Sequence, residues 1–428
     1  MRRETAQVLF IRADAGGATG TGHVMRMLAL AQGWKDRFSV VGDQCSGDDR
    51  LETGDRRQAS GDRGQESGKE ASVVFICARL PEALERRLRN EGFAVVRIDA
   101  EPGSEADVRA TLSVVGDRFS VVGDRFSVFG SRLPVVGSQP LGSEFNKSGR
   151  EQSPTTDHRP PNTEHWLVTD GYHFDYAYQK AIKAAGLSLL CVDDHGYAER
   201  WCCDAILNQN LDAEKGMHYD NDIAEAKYLL GADFCLLRRE FRENHIAKKA
   251  WGPIRHLLVT LGGSDPENAT EAVLALLNSA CQRPLTVRVL AGVDNPHLDR
   301  LQAFASHHSI DVLTRVTDMP GQYAWADGII SAGGSTCWEW LHAGLPGAIV
   351  TIAQNQLPIV RALTETRRAA LPLGWFREFE AQVQGRSLAE WIEAPRTTTD
   401  QDAAQSLIDG LGAARVAEFL LSRKMHGI

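Results

Sequence analysis

Short apolar runs alternate with longer amphipathic stretches over most of this chain, and the alternation comes in two blocks. In the first, VLFI (8–11), SVVFIC (72–77), AVVRI (94–98), HWLVTD (165–170) and LSLLCVDD (187–194) predict buried strands. Between them, LPEALERRLRNEG (80–92) and YAYQKAIKAAG (176–186) predict helices, each closing near a glycine. The rhythm restarts at HLLVTLGG (256–263) and continues through TVRVLAG (286–292), DVLTRV (311–316), DGIIS (327–331) and GAIVTI (347–352). Strands alternating with helices predict parallel sheets with right-handed crossovers. The expected fold class is α/β, with two doubly wound, Rossmann-like parallel-sheet domains facing across a cleft. Ligands of such sheets bind beyond the strand C-termini. The expected division is 1–247, 255–385 and a C-terminal helical segment at 386–428 containing LAEWIEA and QSLIDGL, with a linker near 245–254.

Two tracts break the pattern. Residues 113–139 read SVVGDRF SVVGDRF SVFGSRL PVVGSQ, and a further copy, SVVGDQ, stands at 39–44. A seven-residue period suggests a coiled coil, but each unit carries a glycine and a β-branched residue, which disfavour helix. The tracts 36–71 and 113–162 are expected to be poorly ordered insertions looped out of the first domain, with a short extra hairpin as the alternative.

At 428 residues the chain is long enough for two domains, and 43% hydrophobic with 24% charged residues is an ordinary globular mix. A net charge of −9 and the lack of a basic stripe with interleaved aromatics argue against a nucleic-acid partner. No run approaches the roughly 18 apolar residues of a membrane span, and MRRETAQVLF lacks an apolar stretch of signal length. The expected setting is cytoplasmic, without a membrane partner. Eight cysteines occur without a C-x-x-C pair, so reduced, mostly buried thiols are expected rather than a disulfide framework.

Four βα turns carry candidate chemistry. TGTGHVMR (19–26) follows the first strand and opens a helix, so backbone N–H groups from Gly20 and Gly22 onward can face an anion, and His23 sits on the first turn. Val24, Met27, Leu28 and Ala31 form the apolar face of that helix. The stretch is neither a full dinucleotide fingerprint nor a P-loop; a helix cap beside an incidental histidine explains it as well. In TLGGSDPENAT (260–270), Gly262, Gly263 and Ser264 permit close backbone approach to a phosphate, and Ser264 or Asp265 can cap the next helix. In SAGGSTCWEWLHAGLP (331–346), Gly333, Gly334, Ser335 and Thr336 repeat the arrangement, and Glu339 can accept two hydroxyl hydrogen bonds, as from a ribose. Together the two Gly-Gly-Ser turns suggest a diphosphate held without a metal. In TIAQNQLPI (351–359), the amides of Asn355 and Gln356 can read a sugar or a base, although a polar capping loop is an equal reading.

In TDGYHFDY (169–176), Asp170, Tyr172 and His173 are expected near the first domain's strand ends. Asp193-Asp194-His195 invites a metal reading, but no ligand spacing supports one, and structural capping or a hydrogen-bonded carboxylate is favoured. His307 and His308 are expected to lie exposed in a polar helical stretch.

IRADAGGATGTGHVMRMLALA, TDGYHFD, VDDHGYAERWCCDAILNQN, LLGADFCLLRREF, TLGGSDPENAT, SAGGSTCWEW and AQNQLPI, in this order, resemble one family. It is the UDP-2,4-diacetamido-2,4,6-trideoxy-β-L-altropyranose hydrolase family of pseudaminic acid (nonulosonic acid) synthesis, and the resemblance covers most of the chain outside the two insertions. It implies a GT-B fold, similar to the glycosyltransferase that adds N-acetylglucosamine in peptidoglycan synthesis. It also implies hydrolysis of a UDP-sugar without metal or cofactor, with water attacking the anomeric carbon and inverting it. The family's catalytic histidine, tyrosine and asparagine fall on His23, Tyr172 and Asn355. Its two UDP loops fall on Gly262, Gly263 and Ser264, and on Gly333, Gly334, Ser335, Thr336 and Glu339. Gly20, Gly22, Asp170 and Gln356 are further expected substrate-side residues. Gly171 and Gln354 depart from the family's usual histidine and acid.

This chemistry suits these residues. UDP is a good leaving group, so the site needs positive potential at the diphosphate and a base for water. A histidine, with a pKa near ~6.5, fits the second need at neutral pH. The expected partner is a small-molecule UDP-sugar bound by a monomer. A glycosyltransferase or a UDP-sugar epimerase on the same fold, or a non-catalytic UDP-sugar binder, are the alternatives.

Overall fold

The computed structural model describes residues 7–16, 20–44, 72–122, 165–244, 252–395 and 398–422. The first lobe is a sheet of seven parallel strands: β1 (Val8–Ala13), β2 (Ser72–Cys77), β3 (Ala94–Arg97), β4 (Trp166–Asp170), β5 (Ser188–Val192), β6 (Ala205–Asn208) and β7 (Lys227–Leu230). Their order is β3-β2-β1-β4-β5-β6-β7. Its helices are α1 (Gly22–Gln44), α2 (Glu82–Asn90), α3 (Glu105–Val122), α4 (Tyr176–Ala184), α5 (Ala213–Gly216) and α6 (Arg239–Glu243).

The second lobe has six strands: β8 (His256–Thr260), β9 (Thr286–Leu290), β10 (Ser309–Leu313), β11 (Gly328–Ala332), β12 (Gly347–Thr351) and β13 (Ala370–Trp375). They run parallel in the order β10-β9-β8-β11-β12-β13. Its helices are α7 (Ala269–Ala280), α8 (Leu298–Gln302), α9 (Met319–Trp325), α10 (Thr336–His342), α11 (Leu357–Arg361) and α12 (Gln384–Glu393), followed by α13 (Thr398–Gln405) and α14 (Gly412–Ser422). Both sheets are covered on two faces, which is why their strands read as continuous apolar runs. On β1, Leu9 and Ile11 pack into one core with Val24, Met27, Leu28 and Ala31 of α1, while Val8 and Phe10 pack into another.

In each sheet the strand order reverses at the first strand: β1 lies between β2 and β4, and β8 between β9 and β11. Crevices outside the strand C-termini form at such points. The turns after β1, β4, β8 and β11 all open there.

Several expectations need correction. The boundaries 36 and 113 fall inside helices, since α1 runs to Gln44 and α3 to Val122. Helix extension is cooperative once nucleated, and Thr111 and Val115, one turn apart, bury against the first lobe, offsetting the cost of Gly116. The remainder of both tracts, and most of the expected linker, lies outside the described residues. The 386–428 segment is not a unit of its own. Helix α14 packs against α1 in the first lobe's core, and the Trp166 indole N–H donates to the Leu420 carbonyl at 3.1 Å. His307 and His308 are not helical; His308 is buried and accepts from the Leu285 N–H at 3.3 Å. All seven described cysteines are buried and free.

Candidate active site

The turn from β1 into α1 places His23 at the second residue of the helix. Gly20 takes φ +67°, a left-handed conformation that glycine adopts without strain. Asp170 ends β4, and the register pairs it with Ala13 at the end of β1. That neighbourhood brings the His23 Nδ1 to 2.6 Å from Asp170 Oδ1. Arg26, one turn on from His23, sends Nε and Nη2 to the two Asp170 oxygens at 2.9 and 2.6 Å. Its Nη1 donates to Asp194 Oδ1 at 2.5 Å, just past β5.

Burial alone would raise the Asp170 pKa, but the Arg26 charge and the contacts from His23 and Arg26 outweigh it and hold it down to about 2. An ionised carboxylate only accepts, so His23 Nδ1 carries a proton and Nε2 is the basic nitrogen of the neutral ring. Asp170 is 1% exposed with both oxygens engaged. The expectation that it touches substrate is therefore corrected: it orients the imidazole from behind.

Tyr172 donates its hydroxyl to Asp194 Oδ2 at 2.9 Å. Its ring meets His23 edge-on at 5.1 Å and His195 at 4.8 Å. Burial and the Asp194 charge push the phenol well above its ordinary pKa, opposed by Arg26 and by the Asn355 amide of the other lobe. Gly171 has a packing reason: a Cβ there would lie 2.8 Å from His173 Cε1.

A cavity of about 170 Å³ opens between the lobes at this point. Gly22, His23, Arg26, Tyr172 and Asp194 line it from one side, with Gln209 and Asn210 beside them. Gly333, Gly334, Ser335, Trp338, Asn355 and Gln356 line it from the other. The structure thus gathers all three expected catalytic residues with five of the expected substrate-side residues.

The others stand elsewhere. Gly20 shapes the turn behind His23, and Thr336 opens α10 without lining the cavity. Gly262, Gly263 and Ser264 form an exposed turn after β8, adjacent to the β11 end that carries Gly333 but outside the cavity lining. Asp265, not Ser264, caps α7, accepting from the Ala269 and Thr270 N–H groups at 2.8 and 2.9 Å. Glu339 accepts from Arg238 Nη2 at 2.8 Å and from the Tyr323 hydroxyl at 2.9 Å. It lines a different cavity, of about 220 Å³, with Phe241, Asn244, His342 and Asp409. Each of its oxygens thus already holds one partner within the protein, and it stands outside the cavity that His23 lines.

The sequence reading missed Arg26, Gln209, Asn210 and Trp338, and took Asp194 only for a capping or hydrogen-bonded carboxylate. Arg26 had a usable signal, because positions i and i+3 share a helix face. Asp193 does cap: it accepts from the Gly196 N–H and the Tyr219 hydroxyl, each at 2.9 Å. Among the described residues no three His, Cys, Asp or Glu side chains converge as a metal site, and no helix is long and apolar enough to cross a membrane.

Residues 256–363, which hold both Gly-Gly-Ser turns and Asn355, match the glycosyltransferase family 28 C-terminal domain. The structure is similar to MurG of Acinetobacter baumannii, with a TM-score of 0.55 over 97% of this chain and 99% of that one, at 14% identity. The fold is GT-B. The Anabaena protein HepE, solved in complex with UDP-glucose, superimposes with a TM-score of 0.51 over 97% of this chain and 99% of that one, at 12% identity. Among curated proteins, an uncharacterized protein of Methanocaldococcus jannaschii is 24% identical over 50% of this chain and 46% of its own length. A spore coat polysaccharide biosynthesis protein of Bacillus subtilis is 25% identical over 44% of this chain and 57% of its own length. The chain thus spans about half the length of the curated relatives it matches.

Proposed function

We propose that this protein is a nucleotide-sugar enzyme that hydrolyses a UDP-linked diacetamido-trideoxy sugar to UDP and free sugar. The observation that carries the reading is the His23–Asp170 pair on one wall of a GT-B cleft, opposite Asn355 and the Gly333–Ser335 turn. Water enters between the lobes and gives a proton to His23 Nε2 as its oxygen bonds to the anomeric carbon. The carbon–oxygen bond to UDP breaks, and the electron pair leaves with the pyrophosphate. Backbone N–H groups of Gly333 and Ser335, on the cavity wall, receive the developing charge. Attack opposite the leaving group inverts the anomeric centre. The family resemblance of the motifs supports the diacetamido sugar as substrate, and the solved GT-B neighbour holding UDP-glucose supports UDP as the nucleotide.

The match to a glycosyltransferase family domain favours a second reading, transfer to a hydroxyl acceptor. Incubation with a small panel of UDP-sugars separates the two. UDP released without acceptor means hydrolysis; release only with acceptor means transfer; binding without release means neither. In ¹⁸O-labelled water, hydrolysis at carbon places label in the free sugar, and label in UDP rules that attack out.

A further inference from the structure

We propose that Asp194, held by Arg26, is a positioning residue that fixes the Tyr172 hydroxyl and the Asn355 amide as hydrogen-bond acceptors toward the reacting water. The proposal rests on the hydrolytic reading for the identity of that water, but not for the hydrogen-bond polarity itself.

The argument follows the protons. A guanidinium has only donors, and Arg26 spends Nη1 on Asp194 Oδ1 at 2.5 Å, with Nη2 3.3 Å from Oδ2. Asp194 is therefore a carboxylate facing a cation, and it only accepts. Its backbone is pinned too, since Asn210 Nδ2 donates to the Asp194 carbonyl at 2.5 Å. A phenol has one proton, and Tyr172 commits it to Asp194 Oδ2 at 2.9 Å. Toward the cleft the Tyr172 oxygen has only lone pairs, so Asn355, which lines the same cavity from the other lobe, can meet it only with its amide NH₂. The Asn355 carbonyl oxygen then remains an acceptor. His23 Nε2 is an acceptor for the reason given above. Three acceptors thus surround the space where water would sit. A water that donates to His23 and to one of the oxygens has both protons engaged and turns a lone pair toward the sugar carbon.

Asp194→Asn inverts the relay. The new amide oxygen turns to Arg26, its NH₂ turns to Tyr172, and the phenol must aim its proton into the cleft. The expected result is a fall in kcat of about 100-fold with KM held within about threefold. In a Tyr172→Phe background the same change costs nothing further, because the group it acts through is gone. Asp194→Glu keeps an acceptor-only carboxylate and holds kcat within about tenfold of the parent. The infrared C–O stretch of ring-labelled Tyr172, isolated by subtracting Tyr172→Phe, shifts in Asp194→Asn as the phenol changes its hydrogen-bond partners. The proposal is overturned by an Asp194→Asn loss that persists at full size in Tyr172→Phe, by a Glu variant as slow as Asn, or by an unmoved C–O stretch. The infrared reading needs no substrate, so a lack of acceptor-free UDP release, which sinks the hydrolytic reading, is a separate result.

Discussion

His23 and Asp170 lie 147 residues apart in the chain and 2.6 Å apart in the fold. Neighbouring parallel strands, β1 and β4, end side by side and bring them together. The carboxylate is ionised by Arg26, and the imidazole is thereby locked in one tautomer. Asp170→Asn preserves the shape but removes the charge that holds the Nδ1 proton, and its NH₂ must face an Arg26 donor in either orientation. Turnover should fall about 10²–10⁴-fold, as expected when a base loses the anion that orients it. His23→Ala should lose as much, while UDP affinity by calorimetry changes little in either variant. A large loss of UDP affinity with turnover retained would place His23 at the nucleotide rather than at the water.

The same carboxylate makes the first lobe acid-sensitive. Asp170 and Asp14 each have a folded pKa lowered from 3.8 to about 2, in both cases against burial, which raises it. For Asp14 the His173 imidazole 3.4 Å away, the Arg12 charge and the Arg79 N–H outweigh that burial. A lowered folded pKa means stability that is present above about pH 4 and lost as pH falls toward 2. Each group is worth about 2 kcal/mol at neutral pH on that basis. Urea midpoints should therefore drop steeply between about pH 4 and pH 2, and Asp170→Asn should flatten part of that slope. An unchanged slope in the variant would mean that Asp170 is not held ionised by its neighbours.

How far this was legible in the sequence depends on the distance each feature acts over. The runs at β1, β2 and β4 are apolar on both faces, and the pattern alone predicts them. No helix separates β5 from β6 and only the four-residue α5 stands between β6 and β7, so the strand–helix alternation that marks the other strands is missing there. Strand β13 carries Pro372 and Gly374, which edge strands tolerate and pattern reading discounts. In the site, His23, Tyr172 and Asn355 stand out because turns and residue types mark them locally. Glu339 could be placed on α10 by spacing, but its occupation by Arg238, 101 residues away, could not. The docking of α14 on α1 is likewise invisible before the two helices meet.

Two adjacent glycines at the cavity make opposite demands. A Cβ on Gly333 would lie 2.6 Å from Val360 Cγ2, inside the packed second lobe. A Cβ on Gly334 meets nothing within 4 Å. Gly333→Ala should therefore destabilise by about 1–3 kcal/mol through overpacking. Gly334→Ala should fold with unchanged stability and raise KM for the UDP-sugar, because its methyl takes space beside the bound diphosphate. Chemical unfolding and steady-state kinetics on both variants check the pair, and a Gly334→Ala variant with unaltered KM would remove this turn from the nucleotide site.

Glycine-to-alanine changes in helices α1 and α3 test whether α14 belongs to the first lobe. Within a helix this change normally adds about 0.5–1 kcal/mol of stability, because alanine loses less backbone freedom on folding. Gly116 on α3 is exposed and a Cβ there meets nothing within 4 Å, so Gly116→Ala should show that gain. Gly33 on α1 faces α14, and a Cβ there would lie 2.8 Å from the Ala413 carbonyl oxygen. That contact is backbone and cannot rotate away, so the helices must part, at a cost of about 1–3 kcal/mol that exceeds the propensity gain. Urea unfolding should give opposite signs for the two variants. A stabilised Gly33→Ala would mean that α14 does not rest on α1 in solution.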